Sequence, residues 1–269
     1  MSGTLYVCAT PIGNLEDITL RALRILKECD AIACEDTRHS LALLKKYEIS
    51  KPLISYFEHN EQQKSELLIQ RLMQGENIVL VSDAGTPCIS DPGFILVSKC
   101  REQKIPVTVL PGANAGLCAL VLSGFKCDRF VFEGFLPKNN KERKQRLEIL
   151  KSEARTVILH ESPHHLEKTL DELFDILGDR KVALAREMTK IYEECLIFNL
   201  SLRKEAITNI KGEFVIVIEG AQKKEEILLS PKEQVEQYIN EGKTKKEAIK
   251  LTAQKMGVPK NEIYMQVID

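Results

Sequence analysis

Four apolar runs of four or five residues recur through the first 110 positions, and each ends in a loop of small or polar residues. They are Leu5-Tyr6-Val7-Cys8-Ala9, Ala31-Ile32-Ala33-Cys34, Ile78-Val79-Leu80-Val81 and Val107-Thr108-Val109-Leu110. Runs this short, bounded by polar residues, Gly or Pro, are strands rather than helices. Between them Leu20, Leu23 and Leu26 repeat at helical spacing, as do Leu68 and Leu72 before a stop at Gly75. Strand and helix in alternation predict an α/β layer around a mainly parallel sheet.

Beyond Pro111-Gly112-Ala113-Asn114-Ala115 an apolar helix reaches about Leu122, and the pattern then changes. Five more runs read as strands, at 130–132, 156–159, 182–184, 195–198 and 214–218, but only some have helices between them. A mixed or antiparallel sheet is therefore expected here, with a domain boundary near residue 120. Residues 1–120 and 121–222 form two α/β domains in this reading, and 223–269 a linker and a small helical extension. The linker is the polar, lysine-rich stretch 221–226. In the extension, Ser230-Pro231 starts one helix that stops at Gly242, and Thr244 caps a second that ends at Met256-Gly257. A short third element follows Pro259, an arrangement like a helix-turn-helix.

Composition limits the partners. A formal net charge of -1 over 269 residues gives no whole-molecule attraction to nucleic acid or membrane, so any RNA or DNA binding has to come from local basic patches. Eight cysteines, without C-x-x-C spacing, suit free thiols in a reducing cytoplasm, and five histidines without a partner cluster give no metal site. No apolar run approaches the ~20 residues of a membrane span and no secretory leader is legible, so a cytoplasmic protein is expected.

In open α/β sheets ligands bind beyond the carboxyl ends of strands, which directs attention to the loops there. Thr10-Pro11-Ile12-Gly13-Asn14-Leu15 follows the first strand and reads equally as a plain turn or a ligand loop. Glu35-Asp36-Thr37-Arg38 follows the second: its acids and guanidinium can hold a polar ligand, or Asp36 can simply cap the next helix. The third loop, residues 82–93, reads SDAGTPCISDPG and is longer than a turn requires. Its small residues let backbone approach a ligand, so Ser82, Asp83, Ala84, Gly85, Thr86 and Pro87 form the expected ligand edge, while Asp91-Pro92 looks like a helix start. Ala113, Asn114 and Ala115 make a fourth loop. Neither G-x-G-x-x-G nor a P-loop motif occurs, so a dinucleotide fingerprint and a P-loop are both unsupported.

Farther on, Glu133-Gly134-Phe135-Leu136-Pro137 precedes a basic run of Lys138, Lys141, Arg143, Lys144 and Arg146. Such a run is either a solvated helix face or a phosphate-binding surface for RNA. His160-Glu161-Ser162-Pro163-His164-His165 and Arg186-Glu187-Met188-Thr189-Lys190 each end a strand, so Glu161 and Glu187 are delivered to a sheet edge. Lys211-Gly212-Glu213 is a turn before the last strand.

Taken in order, the 10–15, 35–38, 82–93, 133–137, 186–190 and 211–213 loops resemble the small-subunit ribosomal RNA cytidine-2′-O-methyltransferase I family of the tetrapyrrole methylase superfamily. The likeness covers residues 4–219, and SDAGTP-x-ISDPG is its most specific part. The resemblance implies two α/β domains of the tetrapyrrole methylase (class III methyltransferase) type, S-adenosylmethionine as methyl donor, a homodimer and ribosomal RNA of the small subunit as partner. It implies as substrate the 2′-hydroxyl of a cytidine in the decoding region. Carried over by motif, Pro11, residues 82–87 and 113–115, His160, Glu161 and Glu187 would surround the donor, with Arg38 and the basic run facing RNA. Two positions depart: Cys88 stands where glycine is usual, and His165 where arginine is. A ribose hydroxyl needs a base, and Asp36, Glu187 and Lys190 are the expected candidates. Two other readings stay open: methylation of a tetrapyrrole or diphthine-type substrate, and a donor-binding module without turnover.

Overall fold

The alternation read in the first 110 residues becomes a doubly wound layer in the computed structural model, which describes residues 2–222 and 229–267. β1 (Leu5–Cys8), α1 (Leu20–Glu28), β2 (Ala31–Cys34), α2 (Thr37–Lys46), β3 (Leu53–Ser55), α3 (Glu61–Met73), β4 (Ile78–Val81), α4 (Phe94–Glu102) and β5 (Val107–Leu110) follow one another. The five strands are parallel in the order β3-β2-β4-β1-β5. β3 is the strand the sequence reading omits: three half-buried residues at the sheet edge, behind Pro52, carry too little apolar signal.

Both faces of this sheet are covered, which is why its strands read as unbroken apolar runs. Leu5, Val7, Ile78 and Leu80 pack with Leu68, Leu72 and Leu96 of α3 and α4. Cys8, Ile32, Cys34, Val79 and Val81 pack on the other side with Leu26 of α1 and Leu44 of α2. All eight cysteines are free thiols, and burial pushes Cys8 up to about 12 and Cys100 up to about 11.

The second sheet comprises β6 (Phe130–Phe135), β7 (Thr156–Glu161), β8 (Lys181–Arg186), β9 (Glu194–Asn199) and β10 (Phe214–Ile218), in the order β6-β7-β10-β8-β9. Only β6 and β7 run parallel; the other three pairings are antiparallel, so the sheet is mixed as expected. Helices α5 (Ala115–Ser123), α6 (Asn140–Leu150), α7 (Leu166–Leu177) and α8 (Arg203–Ala206) accompany it. Its strands sort side chains with period two. Val157, Leu159, Val182, Leu184 and Ile216 face the core shared with α6 and α7. Ile158, Ala183, Ala185, Val215 and Val217 face Ala119 and Leu120 of α5. α5 lies close to this face: a Cβ on Gly116 would sit 3.3 Å from Ile158 Cγ2.

The boundary expected at residue 120 falls inside α5, a helix that packs on the second sheet. One compact unit holds both sheets and ends at Ala221, and a second starts at Gln222. Residues 223–226 of the expected linker lie outside the described residues. In the second unit α9 (Pro231–Asn240), α10 (Lys245–Met256) and α11 (Lys260–Val267) surround Val235, Ala248, Ile249, Ala253 and Ile263. Capping boxes at Ser230/Glu233 and Thr244/Glu247 start two of these helices, and Gly257 closes α10 in the left-handed region at φ 67°, where the sequence places those signals.

Candidate active site

The strand-end loops of the two sheets meet around a cleft of about 300 Å³. The loops are tied to one another before any ligand is considered. Thr10 and Gly85 exchange backbone hydrogen bonds of 2.8 and 3.0 Å, joining the loops after β1 and β4. Thr86 Oγ1 donates to the Ala113 carbonyl (3.1 Å), which brings in the loop after β5. The Asp36 N–H donates to Asp83 Oδ1 (3.0 Å), which adds the loop after β2. From the second sheet, the Asn14 N–H donates to Thr189 Oγ1 (3.0 Å), and Glu187 and Glu213 are joined through backbone and side chain. Gly13 is required at this junction, since a Cβ there would lie 2.8 Å from Thr189 Oγ1 and 2.9 Å from the Met188 carbonyl.

Of the expected donor-site residues, Ala84, Gly85, Thr86, Asn114, Ala115, His160 and Glu161 line the cleft. Pro11, Ser82, Asp83, Pro87, Ala113 and Glu187 do not, and several of them hold the wall instead. Ser82 is buried and its hydroxyl donates to the carbonyls of Ala84 and Gly85 (both 3.3 Å). Asn114 also caps α5, accepting from the Leu117 N–H at 3.0 Å.

The second half of the SDAGTPCISDPG loop departs from the expectation of plain helix capping. Gly93, not Asp91, occupies the N-cap of α4, without a side-chain cap. Ile89, Ser90 and Asp91 line the cleft beside Ala84–Thr86 of the first half. Cys88 and Ser90 take up the left-handed region, at φ 72° and 68°, and this turns the chain back towards the cleft. The Asp91 carboxyl is pushed up to about 7, first by burial and then by the neighbouring Glu35 and Asp83 carboxylates. Asp91-Pro92 resembles a cap in sequence, which hid its place at the cleft.

The three expected bases are engaged elsewhere. Asp36 caps α2, accepting from the Arg38 N–H (2.8 Å) and pairing with the Arg38 guanidinium (2.9 Å), and these bonds hold it down at about 2. Burial would raise Glu187, but the Lys190 ammonium at 3.0 Å and the Glu213 N–H bring it below the ordinary carboxylate range. Burial would lower Lys190, and its bonds to Glu213 and Glu187, both 3.0 Å, raise it instead, so it is a fixed cation. None of the three lines the cleft.

The basic run divides. Lys138, Lys141 and Lys144 are exposed on or just before α6, and Arg146 is half-exposed and paired with Glu133 at 2.8 Å. Arg143 is a correction to the expected RNA surface: it is 8% exposed and points inward to Thr169 and Glu172 of α7. Period-3.6 geometry puts Arg143 on the same face as Leu147 and Leu150, a signal the sequence carried and the charge count hid. Arg38 is exposed. His165 stands at the N-cap of α7 without a side-chain cap. Among the described residues, no group of three or more His, Cys, Asp or Glu is placed to hold a metal ion.

The lining has a definite electrostatic character. Asp91, Glu161 and Glu213 line it, no Lys or Arg does among the described residues, and burial holds His160 below its usual range and so neutral. Ile12, Phe135, Met188, Phe214 and Val215 supply apolar surface. His160 Nε2 and Ser162 Oγ are buried there without hydrogen-bond partners, although buried polar atoms are normally satisfied. Phe132 and Phe135 hold the His160 ring edge-on, with centroids 5.2 and 5.4 Å away. An apolar wall with carboxylates and two waiting polar atoms suits a cationic organic ligand, and lacks the cations that a polyphosphate needs.

Residues 4–202 match the tetrapyrrole (corrin/porphyrin) methylases. Ribosomal RNA small subunit methyltransferase I of Halalkalibacterium halodurans is 49% identical over 273 residues, 97% of this chain and 93% of its own. The protein of the same name from Bacillus subtilis is 47% identical, covering 97% and 93%. A solved structure of uroporphyrin-III C-methyltransferase from Thermus thermophilus, complexed with S-adenosylhomocysteine, shares the fold at 18% identity and a TM-score of 0.55, covering 80% of this chain and 96% of that one. On these likenesses, together with the ordered strand-end loops, the chain belongs to the tetrapyrrole methylase family, in its ribosomal RNA small subunit methyltransferase I branch.

Proposed function

We propose that the protein transfers a methyl group from S-adenosylmethionine to the 2′-hydroxyl of a cytidine in the decoding region of small-subunit ribosomal RNA. The observation that carries this reading is a cleft lined by three carboxylate residues, Asp91, Glu161 and Glu213, with no Lys or Arg among the described lining residues, which complements a donor bearing a sulfonium and an ammonium. The two unpartnered atoms, His160 Nε2 and Ser162 Oγ, fit the polar groups of such a ligand. The backbone of Ala84, Gly85 and Thr86, with Asn114, His160, Glu161 and Ser162, would hold it.

When bound, the donor supplies an already activated methyl group. The protein's own residues align the ribose oxygen and take its proton. Asp91 is the proton acceptor in this reading, in place of Asp36, Glu187 and Lys190. It borders the cleft, and a carboxyl near 7 is both half-ionised at neutral pH and more basic than an ordinary one. The exposed Lys138, Lys141 and Lys144, with Arg38 and Arg146, form the RNA-facing surface. The homodimer is part of the same proposal, supported by Val109 (55% exposed) on the edge strand β5 and Val121 (73%) on α5, apolar side chains a monomer leaves in water. A ribosomal substrate sets the reaction in the cytoplasm.

The test incubates the protein with methyl-labelled donor and unmethylated small ribosomal subunits, then maps the labelled nucleotide. Label on a cytidine ribose of the decoding region supports the reading. Donor binding with no label in the RNA would overturn it, and parallel incubations with a tetrapyrrole or a diphthine-type acceptor then separate the two other readings.

A further inference from the structure

Arg143 is nine-tenths buried, charged, and not used by the chemistry above. It reaches across from α6 to α7: its Nε donates to Glu172 Oε2 (2.6 Å) and its Nη2 to Thr169 Oγ1 (2.6 Å). The Thr169 hydroxyl, itself fully buried, donates in turn to Glu161 Oε2 (2.5 Å), and Arg143 Nη2 stands 3.7 Å from the same oxygen. The other oxygen, Glu161 Oε1, accepts from the Ser162 N–H at 2.8 Å. Glu161 is 7% exposed and is among the residues that line the cleft.

Each link has a chemical consequence. A hydroxyl that accepts from a guanidinium has one proton to give; two acceptors stand in reach, the His165 carbonyl at 2.9 Å and the Glu161 carboxylate at 2.5 Å, and the shorter, charge-assisted bond to the carboxylate is the stronger. The carboxylate is thus held in one orientation by donors on both oxygens, and the guanidinium behind Thr169 keeps it compatible with burial. Glu172 neutralises the remaining side of Arg143, so α6, α7 and the end of β7 share one network that reaches the cleft at Glu161.

We propose that Arg143 and Thr169 are positioning residues that fix the Glu161 carboxylate against the cleft and so set its affinity for the cationic methyl donor. The proposal rests on the donor assignment above. Its content is that two residues which do not line the cleft govern binding in it, through one carboxylate.

The experiment measures S-adenosylmethionine affinity by calorimetry with RNA absent, so that no turnover intervenes, for Thr169→Val, Thr169→Ser, Arg143→Met and Arg143→Lys, each alone and combined with Glu161→Gln. Thr169→Val removes a hydrogen bond to a charged group and is expected to weaken binding about tenfold. Thr169→Ser, which keeps the hydroxyl, should restore it to within about threefold, and Arg143→Lys should fall between Arg143→Met and the parent. In the Glu161→Gln background the Thr169→Val and Arg143→Met effects should shrink to less than twofold, a coupling that general loss of packing would not produce. Full effects persisting in that background would overturn the proposal, as would parental affinity in folded Thr169→Val. Failure of the parent protein itself to bind the ligand would instead remove the donor assignment.

Discussion

Replacing Cys88 tests whether the SDAGTPCISDPG loop is held in a conformation that its residue resists. Cys88 sits at φ 72°, where a side chain costs roughly 1–2 kcal/mol against glycine. Its thiol is half-buried against the core of the first sheet, and its Sγ occupies space 2.7 Å from where a Cβ of Gly93 would be. Partial burial of the sulfur contributes about 1 kcal/mol. Cys88→Ala loses that packing and keeps the strain, so it is destabilised by about 1 kcal/mol. Cys88→Gly loses the packing, relieves the strain, and adds about 0.5–1 kcal/mol of unfolded-chain entropy. Glycine should therefore equal or exceed alanine in stability by up to about 1.5 kcal/mol, the reverse of the order seen at ordinary helix or strand positions. Midpoints of urea unfolding, compared at equal slopes, read this difference. Donor affinity is the second readout: Cys88 does not line the cleft, so Cys88→Gly should bind within about threefold of the parent. An alanine variant more stable than the glycine variant by 0.5 kcal/mol or more would refute the strain.

Other outcomes follow from the same geometry. Gly13→Ala drives a methyl into Thr189 Oγ1 and the Met188 carbonyl, so it should cost about 1–3 kcal/mol of stability and weaken donor binding, read by thermal unfolding and calorimetry. Asp91 is raised in the folded state, so its contribution is fully present below the unfolded value near 3.8 and lost as pH rises through about 7. Asp91→Asn should gain in unfolding midpoint over the parent at pH 8 and not at pH 4, while losing the acid limb of the pH–rate profile. A parent profile flat from pH 5 to 9 would remove Asp91 as the proton acceptor. Neutralising Lys141 and Lys144 together should flatten the salt dependence of RNA affinity by about 0.7 per lost phosphate contact, with donor affinity unchanged.

The layers were legible because burial on both faces leaves a plain mark. Ile78–Val81 is apolar at every position, and neither sheet order nor long-range pairing is needed to read it as a strand. The capped helices 231–240 and 245–256 were equally local, each announced by a Ser or Thr with Glu three residues on. β3 was not legible, because its three residues owe their conformation to β2 alongside rather than to their own pattern.

The site divides along the same line, and it shows why a motif finds a cleft more readily than it assigns roles within one. Loops such as 82–87 are found from composition, since backbone approach demands small residues wherever the ligand lies. Roles depend on what stands across the gap. Asp36 and Asp91 are both acids beside strand ends, yet one is bonded to Arg38 and held near 2, while the other faces Glu35 and Asp83 and rises to about 7. Arg143 and Lys144 are adjacent and alike in charge, yet a 100° turn of the helix sends one to Glu172 and Thr169 and the other into solvent. In each pair the local sequence is nearly the same and the partner differs, and every partner of Asp91 and Arg143 lies at least eight residues away in the chain. Chemistry in this cleft is therefore a property of contacts between loops, and a variant that leaves every motif residue in place, such as Thr169→Val, is the kind that should separate the motif from the function.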